Sequence, residues 1–108
     1  MSDPAPGTPS LTYVVNVEAF VWDGTPAPEG RYLMMVRGAS EEIAPGALAP
    51  PGGKVEATGG EQDIIEATLR REVLEEVGVE VVDHVYVESH AFEGQFDGRP
   101  IVVVDLVF

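Results

Sequence analysis

Alternation with a period of two opens the chain. In "LTYVVNVEAFVW" (11–22), Tyr13, Val15, Val17, Ala19 and Val21 fall on one side of an extended backbone, and Val14, Asn16, Glu18, Phe20 and Trp22 on the other. Alternation carried by β-branched residues predicts a strand buried on the first face and only partly on the second. "DGTPAPEG" (23–30) has the composition of a turn, and "RYLMMVR" (31–37) predicts a second, antiparallel strand. The Gly/Pro/Ala-rich run over 38–53 is long for a connection inside a compact domain, which predicts a functional or mobile loop.

The period then lengthens. Ile65, Leu69, Val73 and Val77 recur every four residues, which predicts an amphipathic helix from Asp63 to Val77. Asp63 and Glu66 have the spacing of a capping box, and Gly78 is placed to end the helix as a C′ glycine. Residues 79–92 are strand-like again, "EGQFDGR" (93–99) reads as a hairpin loop, and "PIVVVDLVF" (100–108) suits a central strand. Strands around one long helix make an α/β domain. A buried strand as the last element leaves one sheet face uncovered, which calls for more chain after Phe108 or for a partner subunit, as in a homodimer.

Composition narrows the chemistry. At 108 residues a single domain is expected, large enough to bury a core without staples. Residues 1–10, "MSDPAPGTPS", read as a disordered leader, with neither the basic start nor the apolar run of a secretory signal, and 11–108 as the folded domain. No apolar stretch approaches the roughly 18 residues of a membrane span. The absence of cysteine excludes disulfides and thiolate metal sites and fits a cytoplasmic setting. Six basic residues against nineteen acidic give a net charge of −13. That surface repels a nucleic-acid backbone but admits a small phosphorylated ligand when a divalent cation mediates.

Charge in the helix is concentrated. "REVLEEVGV" (71–79) places Glu72, Glu75 and Glu76 within an arc of roughly 100°, beside the apolar stripe. Like charges three and four residues apart repel by a few tenths of a kcal/mol each, and a divalent cation turns that repulsion into attraction. Arg71 can pair with Glu75 one turn on. Alone, the segment reads more readily as a solvated charged face. The preceding "PPGGKVE" adds two glycines, 52 and 53, which let backbone approach a phosphate or a metal closely.

With these residues assembled, "GGKVEATGGEQDIIEATLRREVLEEVGV" resembles the Nudix box: Gly, five residues, Glu, seven residues, Arg-Glu, an aliphatic, any residue, Glu-Glu, any residue, Gly, an aliphatic. Arg71 to Val79 match the second half throughout. In the first half Asp63 stands where the family has Glu, and nine residues rather than five separate it from Gly53. Glu61 would keep the glutamate and break the spacing. A lengthened loop around "ATGG" absorbs the difference at small entropic cost. The motif covers about a quarter of the chain, and the strand order around it is similar to the family's α/β/α sandwich with a mixed sheet.

The resemblance implies hydrolysis of a diphosphate linkage in a nucleoside diphosphate derivative, a nucleoside triphosphate being one option, by a metal-dependent enzyme. It implies that Glu72, Glu75 and Glu76, with the Gly52 carbonyl, ligate Mg²⁺ or Mn²⁺, that Arg71 orients the glutamates, and that Glu72 assists the attacking water. Gly53 and Arg37, the latter at a strand end where relatives often contact phosphate or base, are the candidate substrate contacts, and the substrate is a small nucleotide-type molecule. The alternative is a catalytically idle Nudix-fold domain that binds a nucleotide or protein partner.

Other features are weaker. Asn16, Glu18 and Phe20 interrupt the first strand and are read as either pocket-lining or solvent-facing. Glu88 and Glu93 are downstream carboxylates, read first as surface groups. Lys54 is no P-loop lysine, because Val55 follows where Ser or Thr is required. His84 and His90 have no close partner for zinc. Trp22 and the three methionines are assigned to the core.

Overall fold

The computed structural model describes residues 12–40 and 45–108, so the expected leader lies outside the described residues. The first strand, β1 (Tyr13–Glu18), forms where alternation is strictest and stops before Phe20. A two-residue strand β2 (Val21–Trp22) follows and pairs with β3 (Tyr32–Leu33). The expected second strand over 31–37 is divided between β3 and β4 (Met35–Val36), and β4 pairs with β5 (Leu48–Ala49). The long connection over 38–53 is therefore partly paired, and it ends in β6 (Gly52–Lys54).

The main sheet has the order β6-β1-β8-β7, with β8 (Arg99–Val107) parallel to β1 and antiparallel to β7 (Glu88–Phe96). It is a mixed sheet, and its final strand is interior, flanked on both edges. The hairpin is tighter than the sequence suggested. Residues 93–96 belong to β7, and only Asp97 and Gly98 turn, both with positive φ (51° and 73°), as a two-residue turn matched to strand twist requires. Valines at 79, 81, 82, 85 and 87 do not form a strand. Val82 and Val85 are exposed, so β-propensity without a ladder partner did not suffice.

Helix α1 (Ile64–Val77) follows the four-residue stripe. Leu69 and Val73 are fully buried against Val17 of the first strand and Ala19 just beyond it, with Ile65, Val77 and Leu106 packed around them. Each such side chain contributes about 1.5–3 kcal/mol by leaving water. Gly78 is left-handed and its N–H donates to the Leu74 carbonyl at 3.0 Å, closing the helix as expected. The start differs. Asp63 is itself left-handed (φ 53°, ψ 36°) and makes no side-chain cap bond, so the capping box does not form. Glu61 organises the approach instead: its carboxylate accepts from the Thr58 hydroxyl and from the Thr58 and Gly59 backbone N–H groups, which hold its carboxyl well below the usual range. Among the described residues no helix is long and apolar enough to cross a membrane.

Opposite the helix the sheet carries polar groups. Asn16, Asp105 and His90 are lateral neighbours across β1, β8 and β7. Asp105 is buried, accepts from Asn16 Nδ2 at 2.8 Å, and lies 3.5 Å from His90 Nε2. Glu18 shares a hydrogen bond with Asp105. That bond, burial and the Asp105 charge push the Glu18 carboxyl up to about 7. Lys54 of β6 stands over the Phe96 ring of β7, 3.9 Å from its centroid, so side chains of the two edge strands meet across this face and partly close it. Trp22, assigned to the core from sequence, is 54% exposed.

Two measurements check this arrangement. Leu69→Ala should lower unfolding stability in urea by about 2–5 kcal/mol, the range for a buried leucine that leaves a cavity; a loss below about 1 kcal/mol would mean that α1 does not pack on β1. Because Glu18 binds its proton more tightly folded than unfolded, its contribution is fullest below the ordinary glutamate pKa and is lost as pH rises through about 7. Stability should therefore decline between pH 5 and 8, and Glu18→Gln should flatten that decline.

Candidate active site

The helix carries its glutamates at different distances from the sheet, as the 100° step per residue dictates. Measured from Leu69 at the centre of the buried stripe, Glu76 is about 20° away, Glu72 about 60° and Glu75 about 120°. Glu72 and Glu76 are accordingly half-buried, while Glu75 is exposed. The two inner carboxyls share a hydrogen bond. Burial, that bond and the Glu72 charge push the Glu76 carboxyl up to about 7, against the opposing pull of the Gly52 backbone amide and of Arg37.

The glycines of β6 make the close approach feasible. A Cβ on Gly53 would stand 2.6 Å from Glu72 Oε2, and one on Gly52 would meet the Val17 carbonyl oxygen and come within 3.0 Å of the Glu18 Cα. A side chain at Gly52 would collide with the first strand's backbone, and one at Gly53 would displace the Glu72 carboxylate. Gly53, expected as a substrate contact, here makes room for Glu72. Gly52 presents its amide to Glu76.

Arg71 holds Glu72 rather than Glu75: its Nη2 lies 3.3 Å from Glu72 Oε1, a pairing between neighbours rather than across a turn. Arg37 directly follows β4. Its backbone N–H donates to the Ala47 carbonyl and its own carbonyl accepts from Gly46, so the ends of the 38–46 loop are tied at this residue. Its positive charge acts on both Glu18 and Glu76. The structure thus brings together Glu72, Glu76, Gly52, Gly53 and the charge of Arg37, with Arg71 at the rim and Glu75 outside. Glu88 and Glu93 lie exposed on β7.

Among the described residues no three His, Asp or Glu side chains converge as a ready ligand cage. The donors present still fit a divalent ion of the magnesium type, which is commonly held by one or two carboxylates and completes its shell with water and substrate phosphate. Glu72 and Glu76, two half-buried carboxyls that share a hydrogen bond beside Gly52, are such a donor pair. Asp105 was missed in the sequence. The available signal was a lone carboxylate inside the apolar run "IVVVDLVF", paired across the sheet with the equally anomalous Asn16.

Comparison with known proteins follows the same lines. Solved structures resemble the chain over most of its length. The crystal structure of a MutT protein from Methanosarcina mazei Go1 matches with a TM-score of 0.59 at 19% identity, covering 93% of this chain and 65% of its own. The solution structure of the E. coli ORF135 protein matches with a TM-score of 0.54 at 28% identity, covering 90% of this chain and 61% of its own. The chain thus spans less than two thirds of the length of either. No curated protein matches its sequence. The NUDIX domain family profile matches residues 12–108, and with Arg71–Val77 on the helix that faces the β6 glycines and Gly78 closing it, the chain belongs to the NUDIX domain family.

Proposed function

We propose that the protein is a metal-dependent hydrolase of a diphosphate linkage in a nucleoside diphosphate derivative, nucleoside triphosphates included. The observation that carries this reading is the half-buried Glu72–Glu76 pair held against Gly52 and Gly53. Glu72 and Glu76, with the Gly52 backbone, would hold Mg²⁺ or Mn²⁺, and Glu75 stands on the solvent side of the same helix. A bound divalent ion supplies Lewis acidity toward the bridging phosphate oxygens and acidifies a water.

The chain's own groups do the rest. Arg71 fixes the orientation of Glu72 at 3.3 Å, leaving its second oxygen directed toward Gly53. Glu72 is the carboxylate assigned to orient or deprotonate the attacking water. Arg37 supplies positive charge beside the pair, where a phosphate group would bind. The net charge of −13 disfavours polyanionic nucleic acid and leaves small nucleotide-type substrates as the partner class. The lack of cysteine agrees with a cytoplasmic setting, and a homodimer would cover what remains open of the sheet.

A non-catalytic binding domain is the second reading, favoured by the uncapped Asp63 and by the convergence of two carboxylates rather than three. Phosphate release from a nucleotide panel with Mg²⁺ separates the two. Turnover should appear for at least one nucleoside diphosphate derivative, and Glu76→Gln should lower it by at least about 100-fold while staying folded. Absence of turnover across the panel, or a variant as active as the parent, selects the binding domain. Independently, millimolar Mg²⁺ should raise the melting temperature of the parent and leave that of Glu76→Gln nearly unchanged.

A further inference from the structure

A second concave site lies at the C-terminal end of β1, bounded by the β2–β3 hairpin, the 79–87 segment and Phe108. It encloses about 590 Å³, a volume typical of small-molecule sites, and neither Glu72 nor Glu76 lines it. Three of its walls are rings. Trp22 and Tyr32 are ladder partners on the hairpin, and Phe20 stands edge-on to Tyr32 with centroids 5.9 Å apart and planes at 83°. Phe108, itself edge-on to His84 and Tyr86, closes another side.

The rings are held in place. The Trp22 indole N–H donates to the Thr25 carbonyl at 2.7 Å, and a Cβ on Gly30 would stand 2.9 Å from the indole nitrogen, so the hairpin backbone packs directly on that edge. About half of each residue is nonetheless exposed: Phe20 45%, Trp22 54%, Tyr32 59%.

Charge identifies the occupant. Asp23, Glu80 and Asp83 line the cavity, and among the described residues no Lys or Arg does. Asp23 accepts from the Thr25 backbone N–H at 2.8 Å, which holds its carboxyl below the usual range and keeps it ionised. Such a rim repels phosphate and carboxylate groups. Ring faces carry the negative side of the aromatic quadrupole and attract cations, most strongly at tryptophan. A compact metal ion would require convergent oxygens, and among the described residues no three acidic or histidine side chains supply them. An organic cation, with its charge spread beneath methyl groups, uses both the rings and the rim.

We propose that this cavity binds a small methylated or quaternary ammonium group, at a site distinct from the hydrolytic one. Trp22 is the chain's single tryptophan, so its emission reports on the site directly. The full chain would be titrated at pH 8 and constant ionic strength with tetramethylammonium and, in parallel, with 2,2-dimethylpropanol, a neutral molecule of the same branched shape with one added hydroxyl. Tetramethylammonium should give a saturable change in emission with an apparent Kd at least about tenfold below that of the alcohol. Tyr32→Ala and Asp83→Asn, both changes at surface positions, should each weaken the cation by about fivefold or more with the melting temperature unaltered. Equal response to the alcohol would show an apolar cavity only and would overturn the proposal. So would the absence of saturation, or cation binding by both variants at the strength of the parent. Should either variant fail to fold, the other variant and the comparison of cation with alcohol decide.

Discussion

Everything at the candidate active site depends on how near β6 comes to its neighbours, and two glycines set that distance. Gly52 lies against the Val17 carbonyl and the Glu18 backbone, and Gly53 lies against the Glu72 carboxylate. A methyl group at Gly52 would push β6 away from β1, and one at Gly53 would drive the Glu72 carboxylate from its place. The adjacent glycines therefore act in opposite directions, one toward the sheet and one toward the helix. With both neighbours fixed, the buried stripe of α1 settles on Val17 and Ala19, and the glutamates beside that stripe come to rest at the sheet edge.

That closeness has an electrostatic consequence. The Glu72–Glu76 and Glu18–Asp105 pairs each hold two carboxyls near enough to share a hydrogen bond, and each raises one member to about 7. Carboxyl pairs with raised proton affinity oppose folding at neutral pH, and structures retain them where the charge has a use. The Arg37 charge lowers both raised carboxyls, which links the helix side of the sheet to the opposite face. Arg37 also ties the ends of the loop that precedes β6. One residue thus couples the loop, through its backbone, to the polar sheet face and the helix pair, through its charge.

Regular periods made much of this legible. The alternation of residues 13–18, the four-residue stripe of α1 and the apolar run of β8 each appear in the structure, because burial on one face imposes those periods. What periodicity does not encode is partnership. The valines of 79–87 have strand-forming side chains but no neighbouring ladder, and Trp22 is amphipathic enough to stand half in solvent with its N–H bound to Thr25. The helical arc of Glu72, Glu75 and Glu76 was readable, yet which edge of the stripe would meet β6 was not. That choice leaves Glu75 outside and turns Arg71 to Glu72. The four additional residues before the helix are organised by Glu61, and with that acceptor in place Asp63 precedes the helix without a side-chain cap bond.

In the proposed function, the bare Cα of Gly53 positions Glu72 and Glu76 as a donor pair for a divalent cation. Calorimetric titration of Mg²⁺ into the parent chain and into Gly53→Ala tests it most directly. Binding to the parent should be saturable, and binding to a variant that stays folded should be weaker by at least about tenfold, since a donor lost to misplacement costs upward of about 1.4 kcal/mol. Unchanged Mg²⁺ affinity in Gly53→Ala, or no binding to the parent, would contradict it.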